Sequence, residues 1–448
     1  MEVNGDSNDI PLDILLQIFH KLPVKSLIRF SCVSKLWFYL INNDQQQFHK
    51  FHMVESQKQP TLISTFQDTY KKKRFYYVEN EEHGNTSNAE LIAYQKDNGY
   101  RGLEYMMGYC NGLGCYWNYG VRRESYNGEW VYFSLEICNP SRIEKLIIVS
   151  RFKSRVDEQI CGFRIGYNQL SDEYKVMCIM KYEDEYEYYI FTLGSTNPWR
   201  KINNPWPKQR PTNCFPSSSR RRVPPIFCNG TLFYEAVKNE AEEEKYKRFT
   251  LVSFDFQGEK FQMIRLPSDD EFVTIFNNGG FSQLEYEGCF CYSSMEKFDP
   301  YRGKVVLCIL KDTVQHVWVK KTIKFVLPKE LDNHALPASA GIVIFFNQVI
   351  LYWRLHEKQQ DCHAIYNLHS NKLKEVQIPN ECYGNDYEYC ISSHAENFLS
   401  LKHFATKTGE GNTREVLEEY KKTSYLKREH FNDMPTSDPA VISFLDPL

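Results

Sequence analysis

Two rhythms of apolar and polar residues divide the chain. From Ile10 to His52 the apolar residues recur at helical spacing, with almost no strand-like alternation. The first helix is predicted to open at Pro11, whose missing N–H is no loss at a first helical position. Asp13 falls in the first turn, where the helix dipole favours an anion. Leu12, Ile14, Leu15, Leu16, Ile18 and Phe19 spread over an arc about 200° wide, whereas a helix packed on one side of a small core needs only about 100°. Asp13, Gln17 and His20 fill the narrow polar sector. Pro23 separates this helix from a second near Val24 to Ser31, and a third runs from Val33 until Asn42-Asn43 ends it. Trp37, Phe38, Tyr39, Leu40 and Ile41 add a second apolar excess on that helix. Three such helices cannot cover all of this surface themselves, so part of it is expected to be buried by something else.

From Gln59 onward, short apolar runs and two-residue alternation take over. Tyr188 to Leu193, Leu251 to Phe256, Val305 to Leu310 and Ile342 to Phe346 each span five or six residues and stop at turn residues, as strands do. Turn signals at Asn111-Gly112, Ser171-Asp172, Asn229-Gly230, Glu287-Gly288 and Asn347-Gln348 recur every 58 to 60 residues. Later return strands carry a bulky residue three before an aliphatic one: Trp199 with Ile202, Phe261 with Ile264, Leu373 with Val376. A four-strand unit repeated at a fixed period suggests a β-propeller. Five units are internal. The strands near Thr61 to Ser64, Arg74 to Val78 and Leu91 to Tyr94, with Ile391 to Leu401, are expected to make a sixth that joins the two ends of the domain. Six blades are favoured over five or seven, and a pair of stacked antiparallel sheets is the alternative.

Composition sharpens this picture. The 448 residues suit two to four domains, or one large repeat domain and a small one. The 30 Tyr, 30 Phe and 7 Trp favour strands. A net charge of −3 gives no global drive toward nucleic acid. No run of 18 apolar residues predicts a membrane-spanning helix, and Met1 to Asp9 lack the basic-then-apolar pattern of a signal peptide. The 14 cysteines are therefore expected in a reducing compartment, as small buried apolar groups. None forms the short C-x-x-C pair common in structural zinc sites. Asn85-Thr86-Ser87 and Asn229-Gly230-Thr231 match glycosylation acceptors, which a cytosolic chain does not use.

The residues from Ile10 through Leu27 (IPLDILLQIFHKLPVKSL), continued by Arg29-Phe30-Ser31-Cys32-Val33-Ser34-Lys35-Leu36-Trp37 and by Phe48 and His52, resemble a plant F-box. Ile10 stands where Leu is usual before the Pro, and Leu36 where a small polar residue is usual before the Trp. The resemblance implies docking on the Skp-type adaptor of cullin-based ubiquitin ligases, with Pro11, Ile14, Leu15, Ile18, Leu22, Leu27, Val33 and Trp37 forming or supporting the interface. Cys110 to Cys115 (CNGLGC), Ile137 to Ser141 (ICNPS), and Gly162 to Tyr167 followed by Ser171 to Val176 resemble the plant F-box-associated domain, over about residues 105 to 400. The expected organisation is a disordered stretch 1–8, a three-helix F-box over 9–53, an all-β domain over 58–405 that is kelch-like in outline, and a polar, flexible tail over 409–448. Repeated double glycines of true kelch units are absent, Gly279-Gly280 being the single pair.

Catalytic signatures are missing: no G-x-S-x-G elbow, no H-E-x-x-H and no phosphate-binding Gly-Lys loop. His356, His363 and His369 are close in sequence but fall on different faces of a predicted hairpin. Lys71 to Arg74 and Arg220 to Arg222 read as solvated loops, nuclear import signals or partner contacts. Glu183 to Glu185 and Glu242 to Glu244 read as solubilising loops. The expectation is a non-catalytic adaptor, cytoplasmic or nuclear, with no cofactor, no metal, no nucleic acid and no membrane. Its partners would be the Skp-type adaptor, cullin through it, and a target protein whose identity the sequence does not give.

Overall fold

The computed structural model describes residues 10–42, 45–58, 61–68, 73–79, 86–96, 104–118, 130–153, 159–182, 185–195, 199–202, 210–211, 225–237, 249–267, 281–299, 302–326, 341–345, 348–355, 360–367, 372–377, 387–405 and 440–444. Four helices come first: α1 (Leu12–His20), α2 (Val24–Phe30), α3 (Lys35–Asn42) and α4 (Gln45–Lys58). Pro11 is the residue before α1, one position earlier than expected, and its carbonyl accepts the Leu15 N–H at 3.0 Å. Pro23 opens α2 in the same extended conformation. Ser34 caps α3, its Oγ accepting the Trp37 N–H at 3.1 Å.

The fourth helix departs from the three expected. It carries the helical module past residue 53 to Lys58. Its buried residues are Phe48, His49, His52 and Met53, two rows at helical spacing. Half of that stripe is histidine, so hydropathy alone does not show it. Leu15, Phe19, Val24, Leu27, Ile41 and Phe48 form the module's core. Phe19, Phe30 and Trp37 meet in its midst, with ring centroids 5.2–6.1 Å apart.

The strands follow in groups. β1 (Thr61–Asp68), β2 (Lys73–Glu79) and β3 (Thr86–Lys96) pair antiparallel in sequence. A first full sheet holds β4 (Glu104–Cys110), β5 (Leu113–Asn118), β6 (Trp130–Asn139) and β7 (Glu144–Lys153). A second holds β8 (Gln159–Asn168), β9 (Glu173–Tyr182), β10 (Glu185–Thr192) and β11 (Arg200–Lys201). The third comprises β12 (Arg210–Pro211), β13 (Ile226–Cys228), β14 (Thr231–Val237), β15 (Phe249–Asp255) and β16 (Lys260–Ile264). The fourth is β17 (Phe281–Tyr286), β18 (Cys289–Asp299), β19 (Arg302–Asp312) and β20 (Val317–Val326). Next come β21 (Gly341–Phe345), β22 (Gln348–Leu355), β23 (Gln360–Asn367) and β24 (Lys372–Gln377), then β25 (Tyr387–His394). β25 pairs antiparallel with β1, so the first and late strands of the domain share one sheet.

Consecutive sheets pack face to face, and strand alternation supplies both faces. On β9, Val176, Cys178 and Met180 turn toward the first sheet, while Met177 and Ile179 turn toward the third. On β15, Val252 and Phe254 face the second sheet and Leu251 faces the fourth. A pair of stacked sheets would bury one face of each; here the middle sheets bury both. Three of the recurring turns have both central residues in the left-handed region: Asn111-Gly112, Asn229-Gly230 and Glu287-Gly288. That is the geometry of two-residue hairpins; the three turns link β4 to β5, β13 to β14 and β17 to β18. Asp172 also has positive φ, at the end of a longer turn. Asn347-Gln348 extends beyond the described residues at Asn347.

Three expectations change. The segment Ile391 to Leu401 is not strand throughout: β25 stops at His394, and an irregular stretch leads into a short helix, α5 (Lys402–Ala405). Within the expected tail, Ala440–Phe444 forms β26, paired parallel with β7; its five-residue, mostly apolar run is too short to stand out in a polar segment. Of the nine cysteines whose side chains are described, seven are buried, as read from sequence, whereas Cys32 is exposed and Cys289 intermediate. Arg220 to Arg222, Glu242 to Glu244, His356 and His369 lie outside the described residues.

Gly166 on β8 tests the sheet-to-sheet packing. A Cβ there would lie 2.0 Å from Cε2 of Phe256, a fully buried ring of the third sheet. Gly166→Ala is expected to cost about 1–3 kcal/mol through forced repacking. Thermal denaturation followed by circular dichroism checks this, and an unshifted midpoint would contradict the packing.

Candidate docking surface and its attachment to the strands

The wide apolar arc of α1 is only partly used by the module itself. Leu15 and Phe19 are buried and Leu16 is half-buried, while Ile14 and Ile18 on one flank are each 42% exposed and Leu12 on the other is 50% exposed. Eleven of the seventeen exposed large apolar side chains among the described residues fall between Ile10 and Val54. Isolated exposed apolar groups are ordinary; a concentration in one small module points to an interaction surface.

The eight residues singled out from sequence separate into two groups. Pro11, Ile14, Ile18 and Val33 are exposed, and Leu22 and Trp37 are half-buried. Leu15 and Leu27 sit in the module's own core and are closed to a partner in this structure; they support the surface from beneath. The eight leave out several exposed neighbours: Ile10, Ile28 and Leu36, and also Leu12, Phe38 and Tyr39, which the sequence counts only within the apolar excess. Leu36 and Tyr39, three apart on α3, share a helical face. The uninterrupted run Leu36 to Ile41 was the available signal, because one side of so short a helix cannot hide all of it.

The module is fixed to the strands through residues His394 to Leu401. Phe398 enters the helical core and meets Phe48 edge-on at 5.6 Å. Glu396 accepts the Val24 N–H at 2.8 Å, capping α2 from the far end of the chain. The Glu396 N–H donates to Ser56 Oγ of α4 at 2.6 Å. Asn397 is fully buried; its Nδ2 donates to the Asn111 carbonyl and to Tyr174 Oη at 2.6 and 2.7 Å. Asn139 Nδ2 donates to the carbonyls of Asn397 and Leu399 at 2.9 and 2.8 Å. Glu144 accepts the Leu401 N–H at 2.7 Å, and Arg142 lies 4.9 Å over the Phe398 ring. From the helical side, Gln57 donates to Asn111 Oδ1 at 3.0 Å and Met53 packs into the core of the first two sheets. Gly112 has no room for a side chain: a Cβ would lie 2.4 Å from the Ala395 carbonyl.

Burial sets the protonation of this junction. It pushes His49 down to about 4 and His394 down to about 3, and it also lowers His52. His394 is held between Tyr109 Oη and Ser141 Oγ. Burial raises the Glu396 carboxyl, and the Val24 N–H pulls it partly back. Among the described residues no three His, Cys, Asp or Glu side chains converge as a metal site would need.

Comparison with known proteins adds two domain matches. Residues 7–47 match the F-box domain, and residues 35–400 match the F-box associated beta propeller domain. An Arabidopsis thaliana F-box protein is 26% identical over 89% of this chain and 97% of its own length. A second F-box protein from that plant is 27% identical over 70% of this chain and 86% of its own. Among solved structures, apo AztD from Citrobacter koseri covers 75% of this chain and 99% of its own at 8% identity and a TM-score of 0.28, too slight a likeness to bear on fold or function.

Removing the Phe398 ring would leave a void in the helical core. Phe398→Ala is expected to cost about 3–5 kcal/mol and to speed hydrogen exchange at the Val24 amide; unchanged protection there would contradict the clamp. The junction also has a pH signature. The unfolded chain takes up protons near the ordinary histidine value of 6.5, before His49 or His394 does. Their contribution is thus complete above about pH 6.5 and falls as the pH drops, by about 2 kcal/mol each at pH 5. Glu396, raised in the fold, acts in the opposite sense. Melting midpoints are expected to fall from pH 7 to pH 5, and less steeply in His49→Gln.

Proposed function

Because this chain belongs to the F-box associated β-propeller family, we propose that it is the substrate-recognition subunit of a Skp–cullin–F-box ubiquitin ligase. The helical module docks on a Skp-type adaptor, and through it on a cullin. The β domain holds a target protein. The observation that carries this reading is the concentration of exposed apolar side chains on a module already locked to its own strands. Pro11, Ile14, Ile18, Val33 and Trp37 are assigned to the interface, with Leu22 at its margin and Leu15 and Leu27 supporting it.

Magnitudes favour a broad contact. Full burial of a large apolar side chain is worth roughly 1.5–3 kcal/mol. Ile14, Ile18, Leu36 and Phe38 are each about half exposed, so together they offer about 3–6 kcal/mol before the costs of association. Their neighbours on α1 and α3 must therefore take part in a stable complex.

The function is proximity. The matched domains are adaptor domains rather than catalytic ones. A target held by the β domain places its lysines near ubiquitin activated elsewhere in the complex, raising their effective concentration. We assign six blades to the β domain: the first four sheets, the group β21–β24, and a closing blade in which β25 joins β1–β3. Such a complex would work in the cytoplasm or nucleus.

Ile14→Asp combined with Ile18→Asp is expected to weaken adaptor binding by at least about 100-fold, since each carboxylate would have to be desolvated. The strand circular dichroism should persist, because both positions are exposed. Co-purification with the adaptor measures it, and undiminished recovery would remove the assignment. Recovery of the adaptor without a cullin would instead indicate a scaffold outside the ligase.

A further inference from the structure

The first sheet is finished long before the chain is. β4, β5, β6 and β7 pair antiparallel in sequence, the same four-strand unit as the second and fourth sheets. All ten residues of β7 pair with β6 on its inner side. β26 is a fifth strand, laid in parallel along the outer side, from Ala440 opposite Lys145 to Phe444 opposite Val149. α5 lies against it. That helix follows Leu401, whose N–H donates to Glu144 at the start of β7.

The edge that β26 covers is strongly apolar. Leu146-Ile147-Ile148-Val149 is a run of four branched aliphatic residues in β7. Leu146 and Ile148 belong to the core of the first two sheets, and Ile147 is half-buried. An uncharged edge of this composition recruits a strand readily. β26 matches it, with the uncharged sequence Ala-Val-Ile-Ser-Phe. Its hold is nonetheless limited. Five residues cover half of β7, and parallel pairing is slightly weaker per residue than antiparallel. Losing β26 leaves every pairing among β4 to β7 in place.

We propose that the outer edge of β7 is where the β domain takes an extended, uncharged aliphatic segment of its target, which adds in parallel to the first sheet in place of β26. β26 shields the edge until then, and its sequence shows the chemistry a ligand must match. Backbone hydrogen bonds supply affinity, and alternate side chains supply selectivity. A tethered strand competes at an effective concentration of about millimolar, so only a segment that pairs more tightly displaces it. The captured segment would lie beside α5, next to the attachment of the helical module. This inference rests on the reading of the β domain as the holder of a target.

The test is fluorescence anisotropy with a labelled peptide copying residues 437–448, SDPAVISFLDPL. It is titrated with the intact chain and with the full-length variant Val441→Pro with Ile442→Pro. Successive prolines remove the N–H on both alternations of the strand, so β26 loses its donors to β7. Saturable binding to the variant is expected, at least tenfold tighter than to the intact chain, where β26 competes. Peptides carrying the same two prolines, or aspartate in place of the isoleucine, should bind the variant at least tenfold more weakly. If the proline variant fails to fold by circular dichroism, Val441→Gly with Ile442→Gly decides, with a gain of threefold or more expected. The proposal is overturned if the peptide binds neither chain, binds both equally, binds as well with its prolines or aspartate, or if the variant self-associates through the freed edge instead. Adaptor recovery by the variant is expected unchanged. A failed peptide titration with recovery intact sinks this inference alone, whereas failed recovery by both chains sinks the adaptor assignment.

Discussion

Asn397 is the constraint on which the arrangement of helices and strands depends. It is fully buried, yet its side chain and backbone reach partners on β6, β9 and the turn after β4. A buried amide left without partners costs about 1–3 kcal/mol, so the segment has one path that satisfies it. Following that path brings Glu396 to the start of α2 and Phe398 into the helical core. The apolar face of the helical module is thereby presented at a fixed angle to the strands. On the proposed reading, in which the chain would join an adaptor to a target, that angle would set which part of the target points at the reaction centre.

Much of the fold is readable from the sequence because its signals are local and repeated. Asn-Gly pairs are read as hairpins because few other residues tolerate two successive left-handed positions; the structure places such turns at Asn111-Gly112 and Asn229-Gly230, and at Glu287-Gly288, where the glycine and the repeat spacing carry the signal. The apolar excess of α1 is readable from its arc alone. What the sequence hides is whatever depends on distant partners. Leu15 and Leu27 look like surface candidates until the core that covers them is known. α4 escapes notice because His49 and His52 do the work of apolar residues once burial holds them neutral. Nothing near Phe398 announces that it completes a core formed by residues more than three hundred positions earlier.

The strands share a second economy. Where a sheet lies between two others, both faces of each strand are spent on packing, as on β9 and β15. Recognition is then left to edges, turns and sheet ends, which change without disturbing the alternating interior.

The pairing of β1 with β25 has a consequence for how the protein is made. A ribosome releases the helical residues first, but the ring that fills their core arrives only after nearly nine-tenths of the chain has been translated. Until then the N-terminal helices lack Phe398, Glu396 and the anchoring bonds around Asn397. Contacts this distant in sequence form slowly, and a nascent chain interrupted before the closing strand can neither complete its sheet nor seat its helices. Synthesis of the closing strand and seating of the helical module are thus linked steps.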